Sequence, residues 1–166
     1  MSQTINYYLE MTSNNQLRKK TKPQGLHIVE AEEKEYRFNR YLYHLVGEVW
    51  NWTDRYKFSD KQWQSYAESE DVKTFVAYIK GSIAGYYELQ KHPKGHVQIV
   101  YFGLAPRFIG NGFGGYMLSH ALTTAWSWKD TERVWLYTCN TDHPNALDNY
   151  KARGLRLFKT ERKQQR

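Results

Sequence analysis

Four glycines fall within six consecutive positions, Gly110, Gly112, Gly114 and Gly115, between an apolar extended run ending near Leu104 and an amphipathic run that follows. A strand that passes through such a loop directly into a helix leaves few folds open. The glycines let the backbone turn sharply and bare its N–H groups, and the helix adds the positive end of its dipole at the same spot. The segment therefore predicts an anion cradle, with a phosphate or pyrophosphate as its guest. Glycine spacing alone does not say which phosphate-bearing ligand.

The surrounding pattern predicts the order β, β, α, α, a three-strand meander, then α, β, α, β, an α+β or mixed α/β domain. Residues 4–12 read as a strand, and a polar basic loop leads to Gly25 and a second strand, Leu26 to Val29. Glu30 to Gly47 carries helical spacing, with Gly47 as its stop, and Ser59 is placed to cap a short helix through Trp63 to about Ser69. Lys73–Ile79, Ile83–Gln90 and His96–Leu104 form the meander, turning at Lys80–Ser82 and at Lys91–Gly95. Phe113, Met117, Ala121 and Ala125 recur at four-residue steps beside Leu118 and Leu122, a helix packed on the sheet. Arg133–Thr138 is a strand, Pro144 opens a helix that Gly154 ends, and Leu155 to about Glu161 is the last strand.

At 166 residues the chain suits one domain, residues 1–166, with 1–25 as an extension carrying a strand and a basic loop. Cys139 stands alone, which excludes an internal disulfide and a cysteine zinc site and favours a reducing compartment. The six histidines show no metal-ligand spacing, so no metal is expected. There is no apolar run of roughly 18 residues, and Met1–Asn6 lacks a signal-peptide pattern, so a cytoplasmic protein without membrane attachment is expected. The net charge of +7 favours polyanionic partners, but the basic runs Arg18–Lys22 and Lys159–Arg166 are too short for a nucleic-acid tail and read as solvated surface.

Gly110, Gly112 and Gly115 satisfy G-x-G-x-x-G literally. The dinucleotide fold nevertheless wants this loop inside a βαβ unit, an acidic residue ending the next strand, and several further parallel strands. In this chain the loop follows an antiparallel meander and the next strand ends in Thr138-Cys139-Asn140. No Gly-Lys-Ser/Thr follows, which excludes the Walker A loop.

Two segments together resemble the GNAT superfamily of acetyl-CoA-dependent N-acetyltransferases, over most of residues 26–160. One is Leu104-Ala-Pro106 with Ile109-Gly-Asn-Gly-Phe-Gly114, and the other is Ala146-Leu-Asp-Asn-Tyr150-Lys-Ala-Arg-Gly154-Leu155. The resemblance implies a mostly antiparallel twisted sheet flanked by helices, with a split strand pair holding the cofactor. It implies that backbone near Phe102 and Leu104 pairs with pantetheine. The amides of Ile109, Gly110, Asn111, Gly112, Phe113, Gly114 and Gly115 would hold the pyrophosphate of acetyl-CoA. The implied reaction is direct acetyl transfer in a ternary complex to a primary amine, borne by a small molecule or a peptide.

Tyr150 is the candidate acid: a phenol of reference pKa about 10 is protonated at neutral pH and donates to a thiolate whose conjugate acid lies near about 8.5. The bland reading is a tyrosine that packs its ring. If the second meander turn is a five-residue hairpin, Gln90 pairs with His96 and Glu88 lies opposite Gln98. Gln98 stands where many relatives carry a glutamate and cannot accept a proton, so Glu88 becomes the candidate base, against the alternative of a structural carboxylate. Gly103 is expected to permit the bulge that splays the strand. Trp50, Trp52, Asp54 and Arg55 are candidates for the acceptor pocket, aromatic faces and a carboxylate suiting a cationic amine, with core packing as the plain alternative.

Departures from the family pattern are Ile109, where Gln or Arg is usual, and His143, where asparagine is usual. His143 either caps the helix at Pro144 or contacts pantetheine. Cys139 is expected to be a buried, dispensable small hydrophobe. Only one strand follows Gly154, and residues 4–12 are expected to compensate. The alternative function is a non-catalytic acyl-CoA-binding module on the same fold; a nucleic-acid-binding domain has no motif behind it. Exposed edge strands make a homodimer reasonable.

Overall fold

The computed structural model describes residues 3–163; Met1, Ser2 and the last three residues of the basic run Lys159–Arg166 lie outside it. The elements, in chain order, are β1 (Thr4–Met11), β2 (Leu26–Glu30), α1 (Tyr36–Gly47), α2 (Asp60–Ala67), β3 (Val72–Ile79), β4 (Ser82–His92) and β5 (His96–Leu104). They continue with α3 (Phe113–Ser127), β6 (Arg133–Cys139), α4 (Ala146–Ala152) and β7 (Arg156–Lys163). The strands form one seven-stranded sheet in the order β2-β3-β4-β5-β6-β1-β7. Every pairing is antiparallel except β5 with β6. This is the expected α+β architecture.

Alternation along the meander divides the core in two. Phe75, Tyr87 and Leu89 join Met117, Leu118 and Leu122 of α3 on one face, whereas Val76, Tyr86 and Tyr101 join Leu42, Tyr43, Val46 and Trp63 of α1 and α2 on the other. Since side chains alternate faces along a strand, neighbouring residues serve opposite cores.

α2 begins as its sequence predicts: Ser59 and Gln62 exchange side-chain and backbone hydrogen bonds in a capping box. α1 starts six residues later than its spacing suggested. Glu30 is still paired with Phe75 in the sheet, and Glu35 accepts the Arg37 N–H at 3.1 Å as the N-cap. α4 begins at Ala146, after the Pro144 turn.

The second meander turn is tighter than expected. Lys94 and Gly95 both adopt positive φ, 65° and 72°, so three residues suffice and His92 pairs with His96. Gln90 therefore lies opposite Gln98, not opposite His96. An extra residue, Val100, then bulges from β5, which brings Glu88 opposite Tyr101. The predicted Glu88–Gln98 pairing is thus wrong on both counts. The bulge also sits at Val100, not at Gly103. Gly103 remains paired with Tyr86, and its missing side chain serves α1, because a Cβ there would lie 2.5 Å from Val46 Cγ1.

Parallel pairing between β5 and β6 stops after Gln98–Trp135. The bulge follows two residues later, and it bends β5 away so that the two strands splay. β1 lies between β6 and β7, with Asn6 opposite both Cys139 and Glu161. The strand before Gly25 does therefore stand in where a second C-terminal strand is absent.

Candidate active site

Two cavities open in the wedge between β5 and β6. The smaller, about 310 Å³, is bounded by Phe102–Leu104, the glycine loop and the start of α4. The larger, about 650 Å³, lies between Tyr101 and Phe102 on β5 and Leu136, Tyr137 and Cys139 on β6, roofed by the segment Trp50–Asp54. Trp50, Trp52, Phe102, Asp142 and Tyr150 border both.

The smaller cavity is built from backbone. Gly110 and Gly112 sit at φ 86° and 79°, a region other residues enter only at a cost. Gly112 caps α3 without any side-chain hydrogen bond, so the first-turn N–H groups of a 15-residue helix keep no capping acceptor. Gly114 and Gly115 line the wall, and a Cβ on Gly115 would collide with Arg153 and Lys20. Beyond Gln98, the edge of β5 that faces β6 has no ladder partner among the described residues, leaving Phe102 and Leu104 with backbone groups open on that side. Ile109 and Phe113 border the cavity, while Asn111 does not: it is exposed, and its side-chain amide donates back to the Phe108 carbonyl. His143 also lines it, with its ring edge-on to Trp50 at 5.2 Å and its Nδ1 accepting the Asn145 N–H at 3.0 Å.

Tyr150 sits where the cavities meet, only 6% exposed, with Phe102 packed against its ring at 5.9 Å. Burial raises its pKa above that of a free tyrosine, and Asp142 and Cys139 add to the shift. The phenol is therefore protonated throughout the physiological range. Asp142 accepts three hydrogen bonds: one oxygen takes the Trp52 indole N–H at 3.2 Å, and the other takes the Thr138 hydroxyl and the Cys139 N–H. It fastens the roof to β6.

Asp54 differs. Its two oxygens accept one hydroxyl each, from Tyr43 at 2.8 Å and from Tyr101, yet half of the side chain remains exposed on the larger cavity. A carboxylate offers about four lone-pair sites, so two remain for a ligand. Trp50 and Trp52 line the same cavity.

Arg55 lines neither cavity. Its guanidinium is buried among Phe58, Trp63, Tyr66 and Tyr101, 3.4 Å from the Tyr66 ring centroid, and its Nε makes a long ion pair of 3.9 Å with Asp54 Oδ2. Burial opposes its charge, but Tyr66, Tyr101 and Glu88 more than offset this and raise its pKa. Glu88 is 1% exposed and borders neither cavity; it accepts hydrogen bonds from Asn39 at 2.9 Å and Tyr66 at 2.7 Å. Burial pushes its pKa up. Gln98 is likewise outside both cavities, its Oε1 held by His92 Nε2 at 2.9 Å. Alternation along β4 puts Glu88 on the Tyr86 face, beneath α1 and α2, and two residues of extra pairing with one bulge set Gln98 opposite Gln90 instead. Cys139 is not buried as expected but borders the larger cavity, with Sγ 2.9 Å from the Thr141 hydroxyl.

Six residues that line the smaller cavity were not site candidates in the sequence: Lys20, Gly103, Asp142, Asn145, Ala146 and Asn149. Lys20 belongs to a basic run that looked like plain surface. Asp142 lies three residues past the end of β6, in a loop of the kind where polar side chains commonly meet a ligand, and that was its one available signal. Among the described residues no cluster of His, Cys, Asp and Glu can hold a metal ion, and no helix is long and apolar enough to cross a membrane.

No curated protein matches the sequence. Solved structures do share its fold. A GCN5-related N-acetyltransferase from Sphaerobacter thermophilus superposes with a TM-score of 0.70 at 15% identity, covering 96% of this chain and 50% of that one. One from Kribbella flavida gives 0.69 at 15% identity, covering 96% and 56%. The chain thus spans about half the length of these two. An IAA acetyltransferase from Bacillus cereus gives 0.61 at 23% identity, covering 80% and 79%. The family model for the acetyltransferase (GNAT) family matches residues 26–155, the span from β2 through the glycine loop to the end of the Tyr150 helix, and the protein belongs to that family.

Proposed function

We propose that the protein is an N-acetyltransferase that moves the acetyl group of acetyl-CoA directly to a primary amine held in the larger cavity. One observation carries the reading: a cavity walled by backbone donors and a cavity holding a half-exposed carboxylate meet at a single buried phenol, Tyr150. The residues fit a CoA ligand. Gly110 and Gly112 leave open space where a Cβ would stand, no side chain caps the α3 amides, and the free edge of β5 suits the amides of pantetheine. Acetyl-CoA supplies a thioester carbonyl with a thiolate leaving group.

The chain's own residues supply the rest. Asp54 holds the incoming ammonium and takes its proton, with Tyr43 and Tyr101 steadying the carboxylate. Glu88 is better suited to a structural task, compensating the buried Arg55 whose ring cage supports the Tyr101 side of the pocket. Tyr150 gives its proton to the sulfur as the C–N bond forms and the C–S bond breaks. Trp50 and Trp52 close the roof and keep water from competing with the amine.

Thermal stabilisation by CoA and acetyl-CoA, followed by thiol release across a panel of small amines, polyamines and peptides, tests the assignment. Acetyl-CoA should raise the melting temperature, and at least one amine should liberate CoA in proportion to acetylated product. Stabilisation with no thiol release from any amine would favour the non-catalytic acyl-CoA-binding module instead.

A further inference from the structure

The segment between β1 and β2 is strapped against the C-terminal end of α4 and the middle of α3. Arg18 N–H donates to the Arg153 carbonyl at 2.9 Å, and Lys20 N–H donates to the Ser119 hydroxyl at 2.8 Å. Ser119 in turn donates to the Gly115 carbonyl at 2.9 Å. The strap passes so close to the end of α4 that a Cβ on Gly154 would overlap the Gln16 carbonyl oxygen. Three contacts of the strap thus fix where Lys20 emerges, and its side chain enters the wall of the smaller cavity.

Lys20 meets a second cation there. A Cβ placed on Gly115 would lie 2.5 Å from Arg153 Nη1, 2.6 Å from Lys20 Cδ and 3.5 Å from Lys20 Nζ. Two positive groups therefore share one spot in the first turn of α3, itself the positive end of a helix. Neither forms an ion pair among the described residues, and Arg153 Nε is buried without an acceptor. Like charges crowded at a positive dipole end repel one another, and a buried donor without a partner carries an unrecovered desolvation cost. An anion at Gly115 relieves both.

Resting on the acetyl-CoA reading, we propose that Lys20 and Arg153 bind the cofactor's pyrophosphate, making the strap between β1 and β2 part of the cofactor site. Ile109 cannot contribute a polar contact from within the loop, and these two side chains supply the charge from outside it. A linear diphosphate matches the layout, since its charged oxygens can meet the α3 amides on one side and both cations on the other.

Calorimetric titration of CoA, dephospho-CoA, pantetheine and inorganic pyrophosphate into the wild type, Lys20→Met and Arg153→Gln tests the assignment. Lys20 is exposed, so Lys20→Met keeps its aliphatic stem and leaves the unliganded melting temperature unchanged. The expected result is at least a tenfold rise in Kd for CoA and dephospho-CoA alike in Lys20→Met, no change for pantetheine, and recovery in Lys20→Arg. CoA affinity within twofold of wild type in both variants overturns the proposal. A loss seen with CoA and absent with dephospho-CoA also overturns it, by moving the cations to the 3′-phosphate. Pyrophosphate binding that needs Lys20, in a protein that ignores CoA, would instead refute the acetyl-CoA reading and leave the anion site standing.

Discussion

Replacing Tyr150 with phenylalanine isolates one oxygen atom. The ring stays, packed against Phe102 and only 6% exposed, so neither cavity changes shape. No described residue hydrogen-bonds to the hydroxyl, so folding loses no protein partner and the melting temperature should move by less than about 3 °C. The cost falls on the chemical step. A hydrogen bond to a charged acceptor contributes about 1.5–3 kcal/mol, which corresponds to roughly a 10- to 150-fold fall in kcat at about 1.4 kcal/mol per decade. Initial rates of thiol release at saturating amine, with CoA binding measured in parallel, separate the effects: kcat should fall in that range while the Kd for CoA stays within about twofold. Because burial holds the phenol protonated, the wild-type rate should show no downturn assignable to Tyr150 below about pH 10. A Tyr150→Phe enzyme turning over within threefold of wild type would refute the assignment of this oxygen as the acid.

Asp54→Asn keeps the two tyrosine hydrogen bonds in reach but removes the charge and the proton acceptor, so kcat/KM for the amine should fall at least about 100-fold with CoA affinity unchanged. Retained amine kinetics would exclude Asp54. Gly154→Ala forces a side chain onto φ 106° and into the Gln16 carbonyl, and should cost about 2 kcal/mol or more, read as a lowered urea midpoint. Glu88 has its pKa raised in the fold, so the native state holds its proton more tightly than the unfolded chain. Its contribution is most favourable below the unfolded value and is lost as pH rises through the folded one. The stability of the wild type minus that of Glu88→Gln should therefore fall as pH rises from about 4 to 8. A difference independent of pH would contradict this.

What the sequence disclosed was mostly local. The glycine loop, the strand before it, the capping box at Ser59 and the Tyr150 helix each depend on neighbours within a few residues. Their chemistry, including positive φ at Gly110 and Gly112, follows from residue type. The register of β4 on β5 was hidden because it turns on Lys94, a residue with no special liking for the left-handed region, and on a bulge at Val100 rather than at the nearby glycine. That turn and that bulge together set Glu88 opposite Tyr101 and Gln98 opposite Gln90. Lys20 was hidden for another reason: nothing local distinguishes it from Lys19 or Lys22, and only its distant hydrogen bond to Ser119 selects it.

The placement of β1 between β6 and β7 has a consequence for biosynthesis. The Ile5 N–H donates to Asn140 across 135 residues of chain, so one wall of the wedge is paired only after nearly everything between has been made. At a synthesis rate of about 5–20 residues per second, the first strand waits roughly 7 to 30 s for β6. During that interval Tyr7, Leu9 and Met11 have no sheet to cover them. β1 is thus the strand left longest open to mispairing while the chain is made, and its late capture by β6 closes that window.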